Sequence, residues 1–450
     1  MALRFGTDGV RGRDAELAPE WVVALGRAAA SALGGARFVI GRDTRRSGPL
    51  IESALAAGLA ASGVDVERLG VLPTPGVAWV SATEGVPAAV ISASHNPYTD
   101  NGVKLFAAGG RKLSEEAELR LEGELERLQA GGSVRSVGGC GIGTVVDRDA
   151  GAAYTQALVA SLERRRLDGL SIVLDPANGA ASVIGPEVLR RLGADVRLIH
   201  AEPDGVNINV GCGSTFPDEL CRTVVAAGAD LGLALDGDAD RVLAVDHRGE
   251  LVDGDQLLAV FALDLRRRDR LRGATVVVTV MANLGFHRAM AEHGVTVVET
   301  PVGDRHVLAA LERGEWSLGG EQSGHIIFRD LATTGDGVLS GLLLADLVCR
   351  AGRPLAELAA AAMTRLPQVL RAVTVERRPE ALPEAVAAEV AAVEAELGDR
   401  GRVLVRPSGT EAMVRIMVEA PTLAQAEDAA QRLVAVVERA CVAPAAAEPR

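Results

Sequence analysis

The sequence predicts an α/β protein made of three similar α/β domains, whose sheets are mixed and largely parallel, and a C-terminal α+β domain. Apolar strands alternate with helices over most of the chain, which is the pattern of α/β units. The order of strand, helix and second strand recurs three times. The last segment differs, because it combines short strands with two helices, the first rich in alanine and glutamate. A chain of 450 residues also exceeds the size of one core, so several domains are expected.

The recurrence is clearest at the entry to the second strand of each unit, where the sequence has Gly63-Val-Asp-Val, Gly193-Ala-Asp-Val and Gly294-Val-Thr-Val. A later strand of each unit stops in a polar loop, and these loops begin at Ser94, Asp236 and Glu321. In open α/β sheets, ligands bind beyond the carboxyl ends of the strands. Equivalent loops on three similar units therefore predict one composite site that faces a central cleft.

Apolar patterns in the first unit predict two helices and three strands, at residues 19–33 and 50–61 and at residues 37–43, 64–69 and 88–91. Small and polar residues follow the third strand, together with the turn dipeptides Asn96-Pro97 and Asn101-Gly102. The chain is therefore expected to loop back sharply after Ser94. The segment Phe5–Gly12 holds three glycines, so it is expected to bend freely and leave Arg11 available to an anion.

The remaining elements are predicted in the same way. The second and third units have strands at residues 171–175, 193–199, 231–235, 274–280, 294–299 and 316–320, with a third-unit helix at 284–293. The last domain has strands at 371–375, 402–406 and 413–419 and helices at 383–397 and 423–439. The predicted domains span residues 1–150, 151–252, 253–367 and 368–443, with a linker near residues 366–369. The alanine- and proline-rich end, residues 444–450, is expected to be disordered.

Composition excludes several classes of function. A net charge of −13 with only 3% aromatic residues argues against base-stacking nucleic-acid surfaces and against binding to anionic membranes. The five cysteines form no Cys-x-x-Cys pair, and their number is odd, so reduced thiols that mostly pack in the protein are expected. Neither a signal peptide nor a membrane-spanning run is visible, which predicts a cytoplasmic location. The sequence leaves a homodimer open.

Lysine usage singles out one residue. Of the 47 basic side chains, only two are lysines, Lys104 and Lys112. An amine can lose its proton at modest cost and act as an acid or base, whereas a guanidinium cannot. Lys104, ten residues after Ser94, is therefore a candidate catalytic residue. Lys112 lies where a polar helix is expected to start, and we expect it to be an ordinary surface charge.

Three alternating carboxylates follow the strand at 231–235. Asp236, Asp238 and Asp240 would repel one another strongly, and a cation is the simplest reason to tolerate them. Oxygen ligands suit Mg²⁺, or Mn²⁺ in its place. A calcium EF-hand loop would need glycine and glutamate where Arg241 and His247 stand. A phosphatase with an aspartate nucleophile would need a later lysine, which the chain lacks.

Two further motifs carry polar groups that suit sugars and phosphates. Glu321-Gln-Ser-Gly-His325 supplies a carboxylate, a hydroxyl and an imidazole, which suit a ligand rich in hydroxyl groups. Arg406-Pro-Ser-Gly-Thr-Glu411, with Arg415 after it, combines guanidinium groups, hydroxyls and turn backbone N–H groups. That combination predicts a phosphate site. Each motif alone is weakly specific.

Together, four motifs resemble those of the α-D-phosphohexomutase family, in the family's order. They are Ser94-His-Asn-Pro97 with Asn101-Gly-Val-Lys104, Asp236-Gly-Asp-Ala-Asp-Arg241, Glu321-Gln-Ser-Gly-His325 and Arg406-Pro-Ser-Gly-Thr-Glu411. One departure is Ala412, where the family usually has proline. Three details resemble the phosphoglucosamine mutase branch of the family: Phe5-Gly-Thr-Asp-Gly-Val-Arg-Gly12, Thr300-Pro-Val-Gly-Asp-Arg305 and Gln322.

The resemblance implies an enzyme that interconverts glucosamine 6-phosphate and glucosamine 1-phosphate, in the synthesis of amino-sugar nucleotides and cell-wall precursors. It implies a phosphorylated Ser94, glucosamine 1,6-bisphosphate as intermediate and activator, and Mg²⁺ held by Ser94, Asp236, Asp238 and Asp240. It also implies catalytic roles for Ser94, Lys104, Arg11 and His325. The implied substrate-binding residues are Arg241, Thr300, Gly303, Glu321, Ser323, Arg406, Ser408, Gly409, Thr410 and Arg415.

Three alternatives remain at this point. Within the family, the substrate could instead be that of a phosphomannomutase/phosphoglucomutase. A metal-dependent sugar phosphatase would release inorganic phosphate rather than transfer it. A non-catalytic sugar-phosphate sensor would not need Ser94, Lys104 and the aspartate trio together.

Overall fold

The computed structural model describes residues 5–6, 9–132, 137–376, 381–408 and 412–441. Contacts divide the chain into two compact units, unit 1 with Met1–Met281 and Gly294–Ala362, and unit 2 with Ala282–His293 and Met363–Arg450. The predicted disordered end, residues 444–450, lies outside the described residues, as do Gly409 and Thr410. The predicted division into four domains stays a prediction.

The first part of unit 1 forms an eight-stranded sheet flanked by helices. Its strands are β1 (Phe5–Gly6), β2 (Gly9–Arg13), β3 (Arg37–Arg42), β4 (Asp65–Val71), β5 (Ala88–Ile91), β6 (Asp100–Ala107), β7 (Arg111–Lys112) and β8 (Val145–Asp147). Its helices are α1 (Pro19–Leu33), α2 (Gly48–Ala60), α3 (Thr74–Glu84) and α4 (Glu115–Gln129). The strand order is β1-β2-β6-β5-β3-β4-β8, and β7 pairs with β6.

The second part of unit 1 has a five-stranded sheet in the order β10-β9-β11-β12-β13. Its elements are α5 (Gly151–Ser161), β9 (Ser171–Asp175), α6 (Ile184–Arg191), β10 (Asp195–Leu198), α7 (Asp218–Ala227), β11 (Leu231–Leu235), β12 (Val242–Asp246) and β13 (Leu251–Val252). A third part has the order β15-β14-β16-β17. Its elements are α8 (Gly254–Arg267), β14 (Thr275–Thr279), α9 (Leu284–Glu292, in unit 2), β15 (Thr296–Thr300), α10 (Asp304–Gly314), β16 (Leu318–Gly320), β17 (Ile326–Phe328), α11 (Gly337–Ala351) and α12 (Leu355–Ala362).

The predicted repeat is visible in the pairing of the strands. The orders β4-β3-β5-β6, β10-β9-β11-β12 and β15-β14-β16-β17 are equivalent, with three parallel strands followed by one antiparallel strand. In each case the predicted polar loop joins the third strand to the antiparallel fourth. The loops that begin near Ser94, Asp236 and Glu321 therefore occupy the same place in three similar sheets, which the sequence predicted.

Two local expectations from the sequence are wrong. Asn101-Gly102 is not a turn, because both residues lie inside β6. Glycine is needed there for close packing, since a Cβ on Gly102 would lie 2.6 Å from the carbonyl oxygen of Val10. The segment around Arg11 is not a free loop either, because β2 pairs with β6 and sets Arg11 opposite Gly102.

Unit 2 is an α+β layer with an antiparallel sheet in the order β18-β20-β19. Besides α9 it contains β18 (Gln368–Thr374), α13 (Glu384–Leu397), β19 (Arg402–Pro407), β20 (Met413–Glu419) and α14 (Leu423–Cys441). The side chain of Asn283 bonds the N–H and the C=O of Leu366, both at 3.0 Å, and the N–H of Leu284 bonds Glu419 at 3.0 Å. These bonds explain why α9 belongs to unit 2, although its sequence position places it in the third repeat.

The cysteines are less buried than the sequence suggested, because only Cys212 is buried and both Cys140 and Cys349 are exposed. All five cysteines are free, and burial raises the pKa of the Cys212 thiol to about 12. Cys212 lies close to Asp175 and His200. Asp175 and His200 bond each other at 2.9 Å. Among the described residues, no helix has the length and apolarity needed to cross a membrane.

Candidate active site

The loop after β5 places Ser94 inside the protein rather than on its surface. Ser94 is fully buried, and its backbone φ of 52° lies in the left-handed region that non-glycine residues seldom adopt. Its Oγ donates a hydrogen bond to Oδ2 of Asp236 at 2.6 Å and lies 3.2 Å from Nδ1 of His95. Such a backbone conformation persists only where neighbouring contacts hold it, and it often marks a functional residue.

Many of those contacts come from Arg45, a fully buried side chain that our sequence analysis missed. Its guanidinium donates to the backbone carbonyls of Ser94, Asn96 and Asp100, each at 2.9 Å, and in a shorter contact to that of Pro97. Asp43 accepts from Nε of Arg45 at 2.9 Å. Because Asp43 and Arg45 directly follow β3, the rule that located Ser94, polar residues after a buried strand, would also have found them.

The second polar loop brings three carboxylates together. Asp236, Asp238 and Asp240 are buried, and one carboxylate oxygen of each lies within 4.8 Å of the others. The loop approaches Ser94 closely at Gly237, where a Cβ would lie 2.7 Å from the carbonyl oxygen of Ser94. Glycine is therefore required between the first two aspartates for the serine and the carboxylates to meet.

The electrostatics of this carboxylate cluster suit a cation. Burial, and then the charges of Asp240 and Asp238, raise the pKa of Asp236 well above its usual range. Burial also raises the pKa of Asp240, but nearby positive charges, led by Lys104, outweigh it and hold that pKa below its usual range. The Oδ1 atoms of Asp238 and Asp240 are buried and accept no hydrogen bond from any residue in the described ranges. The donor set therefore fits a divalent metal ion that prefers oxygen.

Two residues of the first repeat contact the cluster. Nζ of Lys104, on β6, donates to Oδ2 of Asp238 at 2.6 Å and to Oδ2 of Asp240 at 3.0 Å. Thr74, at the start of α3, donates its hydroxyl to the same oxygen of Asp238 at 2.6 Å, and its N–H to the carbonyl of Asp238 at 2.9 Å. No pattern in the sequence indicated a role for Thr74, because its partner Asp238 is 164 residues away.

Cations also lie near the serine. The pKa of His95 falls to about 4 because of burial first, and then because of the charges of Arg241 and Arg11. His95 is therefore neutral near pH 7, beside Ser94 Oγ. A neutral imidazole and two guanidinium groups suit an anion at this serine.

In the third polar loop, Glu321 contacts Gly303, a residue of another segment that was predicted to bind the substrate. Oε1 of Glu321 accepts a hydrogen bond from the N–H of Gly303 at 3.1 Å. Burial lowers the pKa of Arg241, but the carboxylates around it, Glu321 among them, raise that pKa above its usual value. Oγ of Ser323 is buried and has no hydrogen-bond partner in the part of the chain that the structure describes.

The other predicted residues of the third repeat are more enclosed. His325 is buried, with Nε2 at 3.2 Å from the N–H of Gly335 and 3.3 Å from Oδ2 of Asp304. Thr300 is buried at the end of β15, and its hydroxyl lies 3.1 Å from the carbonyl oxygen of Pro301. Lys112 forms an ion pair with Asp304 and its side chain is only 15% exposed, so the expectation of an ordinary surface charge is wrong.

The predicted phosphate site lies on the hairpin of β19 and β20 in unit 2. Arg406 and Arg415 stand directly opposite each other on the two strands. Burial, and then the charge of Arg415, lower the pKa of Arg406. Like charges in opposite positions of a sheet are unfavourable by themselves, so an anion between them would be stabilising. Ser408 is buried and its N–H bonds the carbonyl of Met413 at 2.8 Å.

Comparison with known proteins identifies the family. Models of phosphoglucomutase/phosphomannomutase match alpha/beta/alpha domain I at residues 2–131, domain II at 152–249, domain III at 253–366 and the C-terminal domain at 370–436. The chain belongs to the phosphoglucomutase/phosphomannomutase family. Membership confirms the predicted fold class and makes the chain a phosphohexomutase, an isomerase that relocates a phosphate group.

Curated relatives include two phosphoglucosamine mutases. That of Frankia alni is 53% identical, and the match covers 99% of this chain and 100% of that protein. That of Thermobifida fusca is 54% identical, with 97% and 98% covered. The predicted resemblance to the phosphoglucosamine mutase branch is thereby confirmed.

Solved structures with a similar fold cover almost the whole chain. A putative phosphomannomutase from Thermus thermophilus has a TM-score of 0.78 at 25% identity, covering 97% of this chain and 99% of that one. N-acetylphosphoglucosamine mutase of Aspergillus fumigatus, in complex with GlcNAc-6P and magnesium, has a TM-score of 0.72 at 20% identity, covering 98% and 96%. The second likeness shows the fold alone.

Proposed function

We propose that the chain interconverts glucosamine 6-phosphate and glucosamine 1-phosphate, with Ser94 as the phosphate carrier. The observation that carries this proposal is the 2.6 Å bond between Ser94 Oγ and Asp236, within a cluster of three buried carboxylates. The names of the relatives at about half identity over nearly the whole chain support glucosamine phosphate as the substrate. A homodimer, a cytoplasmic location and a place in amino-sugar and cell-wall precursor synthesis stay parts of the proposal.

Two symmetrical transfers account for the reaction. A hydroxyl oxygen at C1 of glucosamine 6-phosphate attacks the phosphorus of phosphorylated Ser94. The P–Oγ bond breaks, a P–O bond to the sugar forms, the hydroxyl proton passes to a base, and Ser94 Oγ becomes free to take up a proton. The 1,6-bisphosphate then turns, and Ser94 Oγ attacks the phosphorus of the phosphate at C6. The bond between that phosphorus and the sugar oxygen breaks, the P–Oγ bond forms again, the serine proton passes to a base, and the sugar oxygen takes up a proton.

The carboxylate cluster would hold Mg²⁺ through Asp236, Asp238 and Asp240, with an oxygen on Ser94 as a further ligand. When bound, the ion offsets negative charge on the transferring phosphoryl group. The buried Oδ1 atoms of Asp238 and Asp240 and the raised pKa of Asp236 support this assignment. Lys104 is fixed beside the cluster by two carboxylates and would add positive charge to the same group.

Other predicted residues would bind the sugar and move protons. Glu321 accepts the N–H of Gly303 through one oxygen, which leaves its other oxygen to accept sugar hydroxyls. Ser323 offers a buried hydroxyl in the same loop. Arg11 would neutralise charge near Ser94. Lys104 and Arg11 would also handle the hydroxyl proton, and His325 is a second candidate for the acid and base.

The test is a mutase assay with glucosamine, glucose and mannose phosphates side by side. We expect turnover of the glucosamine phosphates to be fastest, with no net release of inorganic phosphate. Faster turnover of mannose or glucose phosphates would favour the phosphomannomutase/phosphoglucomutase alternative. Steady release of inorganic phosphate would instead support a phosphatase, and binding without turnover would support a sensor.

Replacing Arg406 by alanine should weaken substrate binding more than phosphoryl transfer. Losing one of two opposed guanidinium groups should cost about 2 kcal/mol, at the low end for a charge-assisted contact, because Ser408 and Arg415 remain. That corresponds to a rise of about 30-fold in KM for either sugar phosphate. More free 1,6-bisphosphate should also accumulate during turnover, whereas phosphorylation of Ser94 by added bisphosphate should continue.

The matched control is Arg371→Ala, an exposed arginine on β18 of the same sheet. Steady-state kinetics and quantification of free bisphosphate should distinguish it from Arg406→Ala. Equal KM and equal leakage in the two variants would show that the hairpin does not bind the phosphate that is not reacting.

A further inference from the structure

The backbone of Ser94 is held on both sides by buried polar side chains outside the carboxylate cluster. On the amino side, the N–H of Ser94 donates to Oγ of Ser92 at 2.9 Å, and that hydroxyl donates to Oδ2 of Asp43 at 2.6 Å. On the carboxyl side, the carbonyl of Ser94 accepts from Nη2 of Arg45 at 2.9 Å and from Nδ2 of Asn209 at 2.8 Å. All four side chains are buried. We call these four residues, Asp43, Arg45, Ser92 and Asn209, the serine clamp.

Arg45 uses every donor that it has in this clamp. Its Nε donates to Asp43, and its two terminal nitrogens donate to four backbone carbonyls of the loop between β5 and β6, those of Ser94, Asn96, Pro97 and Asp100. A guanidinium has five N–H groups, so each of them has one acceptor here. A lysine has three donors on a single nitrogen and could not span the same acceptors. The position therefore requires arginine rather than any cation.

Asn209 joins the serine loop to the part of unit 1 that carries the carboxylates. Its Nδ2 donates to the carbonyl of Asn96 at 3.0 Å as well as to that of Ser94. A Cβ on Gly237, which lies between the first two aspartates, would be 2.8 Å from the same Nδ2. Asn209 thus lies against both loops and fixes Ser94 relative to Asp236.

The two clamped peptide groups determine where the side chain of Ser94 points. Their orientations set φ and ψ of Ser94, and these angles set the direction of its Cα–Cβ bond. The φ of 52° lies in the left-handed region, which a serine seldom adopts without such contacts. In this conformation Oγ donates to Oδ2 of Asp236 at 2.6 Å. The contact between the serine and the carboxylate cluster therefore depends on the backbone of Ser94.

We propose that the serine clamp is a positioning network for phosphoryl transfer, which keeps Oγ of Ser94 directed at the carboxylate cluster. This inference rests on the proposed function. Without the clamp, the backbone of Ser94 would relax toward negative φ and carry Oγ away from Asp236. A misplacement of about 1 Å can slow a reaction by about 100-fold. Because the clamp acts through the backbone of the carrier, its loss should slow transfer rather than weaken binding of the sugar phosphate.

Kinetics of two variants, one from each side of Ser94, test this proposal. Ser92→Ala and Asn209→Gly both leave the ion pair of Asp43 and Arg45 intact, and glycine readily keeps the φ of 59° at residue 209. We expect each variant to lower kcat by about 10- to 100-fold, while KM changes by no more than about twofold. Phosphorylation of Ser94 by added glucosamine 1,6-bisphosphate, followed by intact mass, should slow by a similar factor.

The matched control is Ser81→Ala, in the same sheet and helix layer as Ser92. Ser81 is fully buried on α3, where its Oγ donates to the carbonyl of Val86 and accepts from the N–H of Gly110 at 2.9 Å. Like Ser92 it bridges two groups through one hydroxyl, but these partners lie outside the serine loop. We expect Ser81→Ala to lower the thermal unfolding midpoint as Ser92→Ala does, and to leave kcat unchanged. Wild-type kcat in the clamp variants, or an equal loss in Ser81→Ala, would show that the clamp only stabilises the fold.

A crystal structure of the double variant Ser92→Ala/Asn209→Gly tests the geometry without any activity. We expect φ of Ser94 to leave the left-handed region and Oγ to move out of hydrogen-bond range of Asp236. An unchanged Ser94 would overturn the proposal. If the double variant does not fold, the structure of Ser92→Ala decides the question in the same way. A wild-type chain without mutase activity would refute the proposed function instead, and the variant structure would still show whether the clamp holds Ser94.

Discussion

Ser94→Ala is expected to lower the mutase rate by about 10⁴-fold or more, because removal of a nucleophile that carries the transferred group eliminates the covalent step. The fold should persist. The loop is held through its backbone, since Arg45 and Asn209 bond the carbonyl of residue 94 at 2.9 and 2.8 Å. Only the bond from Oγ to Asp236 and the contact with His95 are lost.

A coupled assay for glucosamine 1-phosphate, together with thermal unfolding, measures the two halves of this prediction. Intact-mass analysis of the wild type should also show one phosphate in a fraction of the molecules, and peptide mapping should locate it on Ser94. The matched control is Ser53→Ala, an exposed serine on α2. Full activity in Ser94→Ala, or phosphate only at other residues, would exclude Ser94 as the carrier.

Asp238→Asn should have the second-largest effect, through loss of metal binding. Asp238 is fully buried, and its Oδ2 already accepts from Lys104 and Thr74, whereas its buried Oδ1 accepts no hydrogen bond from any described residue. An amide keeps the shape but removes one of three charges from an all-oxygen site. We expect Mg²⁺ affinity to fall by about 100-fold and kcat at moderate Mg²⁺ to fall by a similar factor, since the site loses one of three carboxylate ligands and the bound ion contributes several kcal/mol of charge stabilisation to the transition state.

Calorimetric titration with Mg²⁺ and assays after treatment with EDTA check this expectation. Activity lost to EDTA should return with Mg²⁺ in the wild type, and only at higher Mg²⁺ concentrations in the variant. Asp195→Asn, an exposed aspartate on β10 of the same sheet, is the control. A wild type that stays active in EDTA, with an unaffected Asp238→Asn, would rule out a metal role for the cluster.

Ser94 is fully buried, which the sequence did not lead us to expect. The sequence placed Ser94 in a loop, and a loop residue is expected at the surface. The structure instead buries Ser94, because Asp236, Arg45 and Asn209 all bond to it within unit 1. A buried serine is protected from water, which fits transfer of a phosphoryl group to a sugar rather than hydrolysis.

Local patterns in the sequence determined the repeated strands and helices and the three polar loops. A strand that is buried on both faces must be apolar along its length, and the residues that follow it are released from that constraint. Ser94, the aspartate trio and Glu321 could therefore be found from the point at which each apolar run stops. Arg406 and Arg415 could be proposed as a phosphate site because their segment combines charge with turn backbone over a short stretch.

The tertiary structure alone decided which distant residues support those loops. Arg45 bonds the serine loop 49 residues away, Thr74 bonds Asp238 across 164 residues, and Lys112 pairs with Asp304 across 192 residues. The helix α9 joins unit 2 through bonds from Asn283 to Leu366. Such pairs leave no periodicity or spacing in the sequence, because the two partners lie far apart in the chain and meet only when separate sheets pack together. The chain specifies the chemistry of its loops locally, whereas the burial and orientation of that chemistry depend on contacts that exist only after folding.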